Sequence, residues 1–93
     1  MSYELGFLDS ALKKWRKLDA GVREHFKKRL AERLENPHIP SARLSGGKQR
    51  YKIKLRNAGY RLVYEVRDQE MIVIVIAVGR RERNAVYKAA AKR

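Results

Sequence analysis

The 93-residue chain contains no cysteine, only two prolines and two histidines, and ten acidic residues against twenty-three lysines and arginines. Without cysteine there are no disulfides and no thiolate zinc sites, and a reducing compartment suits such a chain. His25 and His38 have no partners at ligand spacing, so no metal and no cofactor are assigned. The longest apolar run, Met71 to Val78, is far too short to cross a bilayer, and no charged-then-apolar leader opens the sequence. These absences lead to the expectation of a soluble, cytoplasmic protein. The length suits a single domain over 1–93 with one modest core.

What is present is cationic and unevenly spread. The first 47 residues carry ten Lys/Arg against six Asp/Glu, and the rest carry thirteen against four, within a net charge of +13. That excess favours a polyanionic partner such as nucleic acid, a ribosome or an acidic protein. A solvated basic surface kept for solubility is the plain alternative. Membrane-surface binding is disfavoured, because the clearest basic face falls on a strand pattern rather than on an interfacial helix.

That face lies in residues 50–67. Arg50, Lys52, Lys54 and Arg56 alternate with Tyr51, Ile53 and Leu55. Strand side chains point to opposite faces with period 2, so this arm has one apolar face and one basic face. Asn57-Ala58-Gly59 supplies a turn, with Gly59 free to take positive φ. The returning arm puts Tyr60, Leu62, Tyr64 and Val66 on one face and Arg61, Val63 and Glu65 on the other. Like charges stacked on one face repel, and an arriving polyanion would relieve the repulsion.

Tyr3 to Leu8 reads as a strand. Asp9 is placed to cap a helix running to about Leu18, with Leu12, Trp15 and Leu18 on its inner face. On that stripe Trp15 reads as core, the competing role being a base stacker. Asp19 is placed to cap a second helix in which Val22, Phe26, Leu30 and Leu34 recur every four residues, ended by Asn36-Pro37. Its Arg23, Lys27, Lys28, Arg29 and Arg33 read mainly as a solvated face, partly paired with Glu24, Glu32 and Glu35. Residues 38–49 form a loop, and Arg67 to Glu70 a polar turn. Met71 to Val78, apolar on both parities, predicts a central strand covered at least partly on both faces. It delivers Gly79-Arg80-Arg81-Glu82-Arg83, and residues 84–92 have helix propensity. The expected class is α+β in the order β-α-α-β-β-β-α. A mainly antiparallel four-stranded sheet would carry the helical hairpin on one face. Lys52, Lys54 and Arg61 would point from the other, with Arg81 and Tyr87 entering from the edge. Tyr51, Tyr60 and Tyr64 are expected to pack on the helices with hydroxyls at the rim.

The stretches ALKKWRKLDAGVREHFKKRL, YKIKLRNAGYRLVYEV and VGRRERNAVYKAAAKR resemble the RelE branch of the bacterial RelE/ParE toxin–antitoxin superfamily, over nearly the whole chain. The resemblance implies a microbial-RNase-like fold and a metal-independent mRNA interferase that cuts messenger RNA in the A site of the 70S ribosome. It also implies a RelB-like antitoxin partner, with operator DNA reached only through the antitoxin complex, and no membrane. Carried over by position, the family's active-site set falls on Lys52, Lys54, Arg61, Arg81 and Tyr87. The chain departs from close relatives at Arg43-Leu44-Ser45-Gly46, where Ser45 stands in place of an arginine that contacts the RNA backbone. Arg43, Lys48 and Arg50 are the candidate replacements, and Arg56, Arg80 and Arg83 would add general contacts to phosphate.

Metal-free RNA cleavage needs a 2′-hydroxyl deprotonated, a phosphorane stabilised and a 5′-oxygen protonated. The chain offers Lys, Arg and Tyr for this work in place of histidine. Crowding the cations penalises a protonated lysine and favours a tyrosinate. In this reading Tyr87 is the general base, with Lys54 assisting or substituting. Lys52 and Arg61 hold the scissile phosphate, and Arg81 stabilises charge near the leaving group. Tyr87 as a base stacker is the competing role. Two rival functions stay open: a basic RNA- or ribosome-binding module that does not cut, and a ParE-like toxin acting on DNA gyrase.

Overall fold

A computed structural model describes residues 2–56, 58–80 and 90–91. Strand β1 (Glu4–Phe7) leads through Leu8 into helix α1 (Asp9–Arg16), and helix α2 (Ala20–Glu35) follows after a three-residue break. A 3-10 turn (Pro40–Ala42) interrupts the loop before β2 (Arg50–Leu55). Strand β3 (Tyr60–Arg67), a second 3-10 turn (Asp68–Glu70) and β4 (Ile72–Arg80) complete the sheet. Its spatial order is β1-β4-β3-β2, with β1 parallel to β4 and the other pairs antiparallel. The α+β class and mainly antiparallel sheet expected from the sequence are therefore observed. Residues 84–92, expected to be helical, lie mostly outside the described residues, and Ala90 and Ala91 are helical.

The helix starts differ in detail from the capping expected. Asp9 is the first residue of α1 rather than its cap, so it acts on the positive end of the helix dipole instead of through a cap bond. Asp19 holds the N-cap position of α2, but its side chain makes no cap hydrogen bond. Arg23 Nη1 instead reaches back to donate to the carbonyls of Arg16 and Leu18, at 3.1 and 3.0 Å. It thereby serves acceptors that the end of α1 leaves unpaired.

The main core lies between the helices and the sheet. Phe26, Leu30, Ile53, Leu62, Tyr64, Val73 and Val75 are buried there, with Trp15 between Phe7 and Phe26 at centroid separations of 5.2 and 6.2 Å. Each large apolar side chain contributes roughly 1.5–3 kcal/mol by burial. Trp15 thus belongs to the core, as its stripe predicted.

The opposite sheet face is not left open along its length. Val63, Ile76, Ala77 and Ala90 form a second buried cluster, flanked by Leu8, Leu44 and Ile74. The cause is a register shift: Val63 pairs with Ala77 and Tyr64 with Val75, leaving Ile76 as an extra residue on β4. A bulge of this kind puts two consecutive side chains on one face and bends the strand. Met71, expected within the strand, takes a left-handed conformation (φ 56°) that closes the turn before it.

Candidate active site

The hairpin forms with the anticipated register, and that register builds the site. Gly59 has φ 69°, supplying the positive angle the turn needs. Lys54 then lies directly opposite Arg61, and Arg61 opposite Gly79, so the three form one row across the sheet. The next row is Lys52, Val63 and Ala77. Because parity repeats every second residue, Lys52, Lys54 and Arg61 share the face away from the helices. Opposed residues on antiparallel strands have Cβ atoms about 4.5–5.5 Å apart, so these charges are forced together by backbone geometry. Gly79 contributes no side chain above its row.

Crowding has a chemical signature. The Lys52 ammonium, then partial desolvation, then Arg61 and Arg56, hold the Lys54 amine below its usual 10.5. A lysine so placed gives up its proton more readily than a solvated one. Arg61, on an interior strand, is only 8% exposed, whereas Lys52 and Lys54 are half-buried. The row therefore has a sunken guanidinium flanked by accessible ammonium groups. It can bind a phosphate and stabilise charge that develops on it.

Two networks hold β2, the edge strand, in place. On the helix side Tyr64 is fully buried, and its hydroxyl donates to the Pro37 carbonyl at 2.7 Å. It also accepts from Arg33 Nη1 at 2.8 Å, and Arg33 donates again, at 3.3 Å, to the outward carbonyl of Lys52. The hydroxyl expected at the rim is thus in the interior, because Arg33 of α2 and Pro37, just past its end, satisfy it. Arg33, expected on a solvated helix face, turns inward and ties α2 to the strand carrying Lys52. Tyr64 stacks on Tyr51 at 5.5 Å, and the Tyr51 hydroxyl meets Gln49 and His38 Nδ1 at 2.8 and 3.1 Å. His38 Nε2 and the Tyr3 hydroxyl both meet Asp68 Oδ1, at 2.8 and 2.6 Å. Those partners hold the Asp68 carboxyl below its usual range, the Tyr3 bond first.

At the far end of the hairpin, Arg50 Nε pairs with Glu65 at 3.0 Å while its Nη1 donates to the Ala90 carbonyl at 2.6 Å. Burial raises the Glu65 carboxyl, but bonds from Arg67 and Arg50 outweigh it and leave the pKa lowered. Arg50 is therefore engaged inside the protein. Arg43 pairs with Tyr51 on the outer edge of β2, and Leu44 donates to the Arg50 carbonyl at 2.9 Å. The loop thus covers part of an edge otherwise open to strand addition. Arg80 lies over the Tyr60 ring, 5.4 Å from its centre. Lys48 borders the shallow hollow by Ser45 and Arg50, and Arg56 follows β2 into the turn. Arg81, Arg83 and Tyr87 lie outside the described residues, so the row of Lys54 and Arg61, with Lys52 beside it, is the part of the expected set that the structure describes. Among the described residues no three His, Asp or Glu side chains gather at metal-binding distance.

Sequence reasoning missed the inward role of Arg33 and a basic stripe on α2. His25, Arg29 and Arg33 recur at four-residue intervals, one step around from the apolar stripe Phe26, Leu30 and Leu34. That periodicity was available in the sequence, but nothing local told which side of the core it would flank.

A family model described as the ParE toxin of type II toxin–antitoxin systems matches residues 5–85. The mRNA interferase toxin RelE of Escherichia coli K12 is 55% identical over the whole chain and 98% of its own length. A putative RelE-like toxin protein of E. coli is 52% identical over the same span. Among solved structures, the free form of an E. coli RelE double arginine-to-alanine mutant superposes with a TM-score of 0.91 at 52% identity, covering 99% of this chain and 97% of that one. The toxin in the intact E. coli RelBE toxin–antitoxin complex gives 0.84 at 54% identity, covering 88% and 100%.

Proposed function

Because the chain belongs to the RelE branch of the RelE/ParE family of type II toxins, we propose that it is an mRNA interferase. In this reading it cuts messenger RNA in the ribosomal A site without a metal and is neutralised by a RelB-like antitoxin. The observation that carries the proposal is the row of Lys54 and Arg61 with Lys52 beside it, on one sheet face and with the Lys54 amine made more acidic by its neighbours.

The chemistry follows from that row. The 2′-oxygen attacks the adjacent phosphorus while its proton passes to a base. The bond to the 5′-oxygen breaks, and that oxygen takes up a proton. The products are a 2′,3′-cyclic phosphate and a 5′-hydroxyl. Lys52 and Arg61 hold the non-bridging oxygens, whose charge grows in the phosphorane. Tyr87 is assigned the base role, with Lys54 as helper or substitute, and Arg81 the charge near the leaving oxygen. A site built from weak acids and bases depends on positioning, which the ribosome would supply by ordering the codon.

The partner follows from the surface. A RelB-like antitoxin, acidic and partly disordered, would fold on the basic surface or displace the terminal segment that Ala90 anchors. Operator DNA would be met only through that complex. The gyrase-directed alternative shares the fold. It has no need for Lys54 facing Arg61, and the E. coli K12 relative at 55% identity is named an mRNA interferase. Mapping mRNA ends after induction tests the reading: cuts inside codons that require translation support it. A DNA-damage response without such cuts would select the gyrase reading. Ribosome binding with intact mRNA would select a non-catalytic module. Within the enzyme reading, Tyr87→Phe should abolish single-turnover cleavage; a chemical rate within a few-fold of wild type would remove Tyr87 from the base role.

A further inference from the structure

A second cationic hollow lies around the edge of the sheet from the row just described. It is a cleft of about 660 Å³ between α2 and β2, lined by His25, Arg29 and Arg33 from the helix and by Lys52, Lys54 and Arg56 from the hairpin. Among the described residues no carboxylate lines it, and none of these six joins an ion pair. Arg29 is nonetheless half-buried. Repulsion among so many cations is a standing cost that an anion would relieve.

We propose that this cleft is a second phosphate-binding subsite, taking the sugar–phosphate backbone of the RNA strand beyond the nucleotide held at Lys54 and Arg61. The inference deepens the proposed function and rests on it. Continuity identifies the occupant: Lys52 and Lys54 border both the cleft and the catalytic face, so a strand leaving one enters the other. Chemistry points the same way. An acidic helix or strand docks through apolar anchors as well as charge, and among the described residues only Leu55, Ala42 and Ala58 offer apolar surface here. Forked guanidinium groups match phosphate oxygens. Arg33 is already spent on Tyr64 and the Lys52 carbonyl, so Arg29 and Arg56, with His25 at the mouth, are the groups left for the ligand.

The test is binding of a short, fully 2′-O-methylated RNA, which cannot be cut, followed by fluorescence anisotropy as salt is raised. For single strands each neutralised phosphate contributes about 0.7 to the slope of log K against log salt. Arg29→Gln with Arg56→Gln should weaken binding and reduce that slope by about 1.4, with thermal unfolding unchanged. Arg29→Lys should keep the wild-type slope, because it keeps the charge. Lys14→Gln, at an exposed position of α1, should also leave it alone. If wild type binds this RNA and cuts translated mRNA while the double variant keeps its full slope, the subsite is refuted and the enzymatic reading stands. If wild type neither binds nor cuts RNA, both fall. If the double variant loses affinity only for an acidic antitoxin-derived peptide, the cleft serves a protein partner and the proposal is overturned.

Discussion

Replacing Tyr64 by phenylalanine removes one oxygen from the middle of the protein. That oxygen donates to the Pro37 carbonyl at 2.7 Å and accepts from Arg33 at 2.8 Å, in a side chain with no solvent exposure. The ring stays, so no large cavity opens, and the cost is that of stranding two partners. A buried acceptor left unsatisfied costs about 1–3 kcal/mol, whereas the half-exposed Arg33 can recover water and retains its bond to Lys52. A loss near 2 kcal/mol is expected. For a domain of this size it lowers Tm by roughly 8–16 °C. Tyr51→Phe is the internal comparison: its hydroxyl partners are His38 and Gln49 side chains that can turn to water, so the loss should stay below about 1 kcal/mol. Urea unfolding measures both, with an unchanged m-value showing that the denatured state is unaffected. A pH arm adds a second check. Burial, which outweighs the opposing Arg33, raises the Tyr64 phenol above its usual 10.0. Its contribution is therefore complete below pH 10 and is lost as pH climbs through the raised value. Tyr64→Phe should flatten that alkaline decline. A variant that unfolds within 2 °C of wild type, or that declines as steeply in alkali, would refute the description of this hydroxyl as a buried link between Pro37 and Arg33.

Two further outcomes follow from the charge pattern. Lys52→Met removes the largest influence lowering the Lys54 amine, so that pKa should rise toward 10.5. The rising limb of single-turnover cleavage, where the base loses its proton, should move to higher pH with it; an unmoved limb would exclude Lys54 from the base role. Asp68→Asn addresses the other end of the sheet. The Tyr3 hydroxyl and His38 lower the Asp68 carboxyl below its usual 3.8, so the stability it contributes is present above that value and lost as pH falls through the lowered one. The variant should be less stable at neutral pH yet show a shallower acid transition, and an acid profile identical to wild type would exclude this carboxylate.

The hairpin was legible in the sequence because it obeys local rules. Alternation fixed the faces, Gly59 fixed the turn, and together they fixed the register that sets Lys54 against Arg61. Trp15 and the α2 stripe were legible for the same reason. What escaped depends on residues far apart in the chain. Ile76 beside Ala77 on one face needs a bulge, and an all-apolar strand gives no sign of where its alternation slips. The covering of that face by Ala90 could not be read from a hairpin that looked open. Arg33 carries the same charge as its solvated neighbours, and only the Tyr64 hydroxyl and the Lys52 carbonyl distinguish it. Helix α1 begins one residue earlier than expected, at Asp9 itself, a shift that propensity does not resolve.

The parallel seam between β1 and β4 also orders events in time. Glu4–Phe7 leaves the ribosome early, yet its partner Ile72–Val75 is made after both helices and the hairpin. Since β4 also pairs with the strand that carries Arg61, that strand has neighbours on both sides only once β4 is in place. The sheet that carries the row of Lys54 and Arg61 is thus completed only when the last described strand has been made.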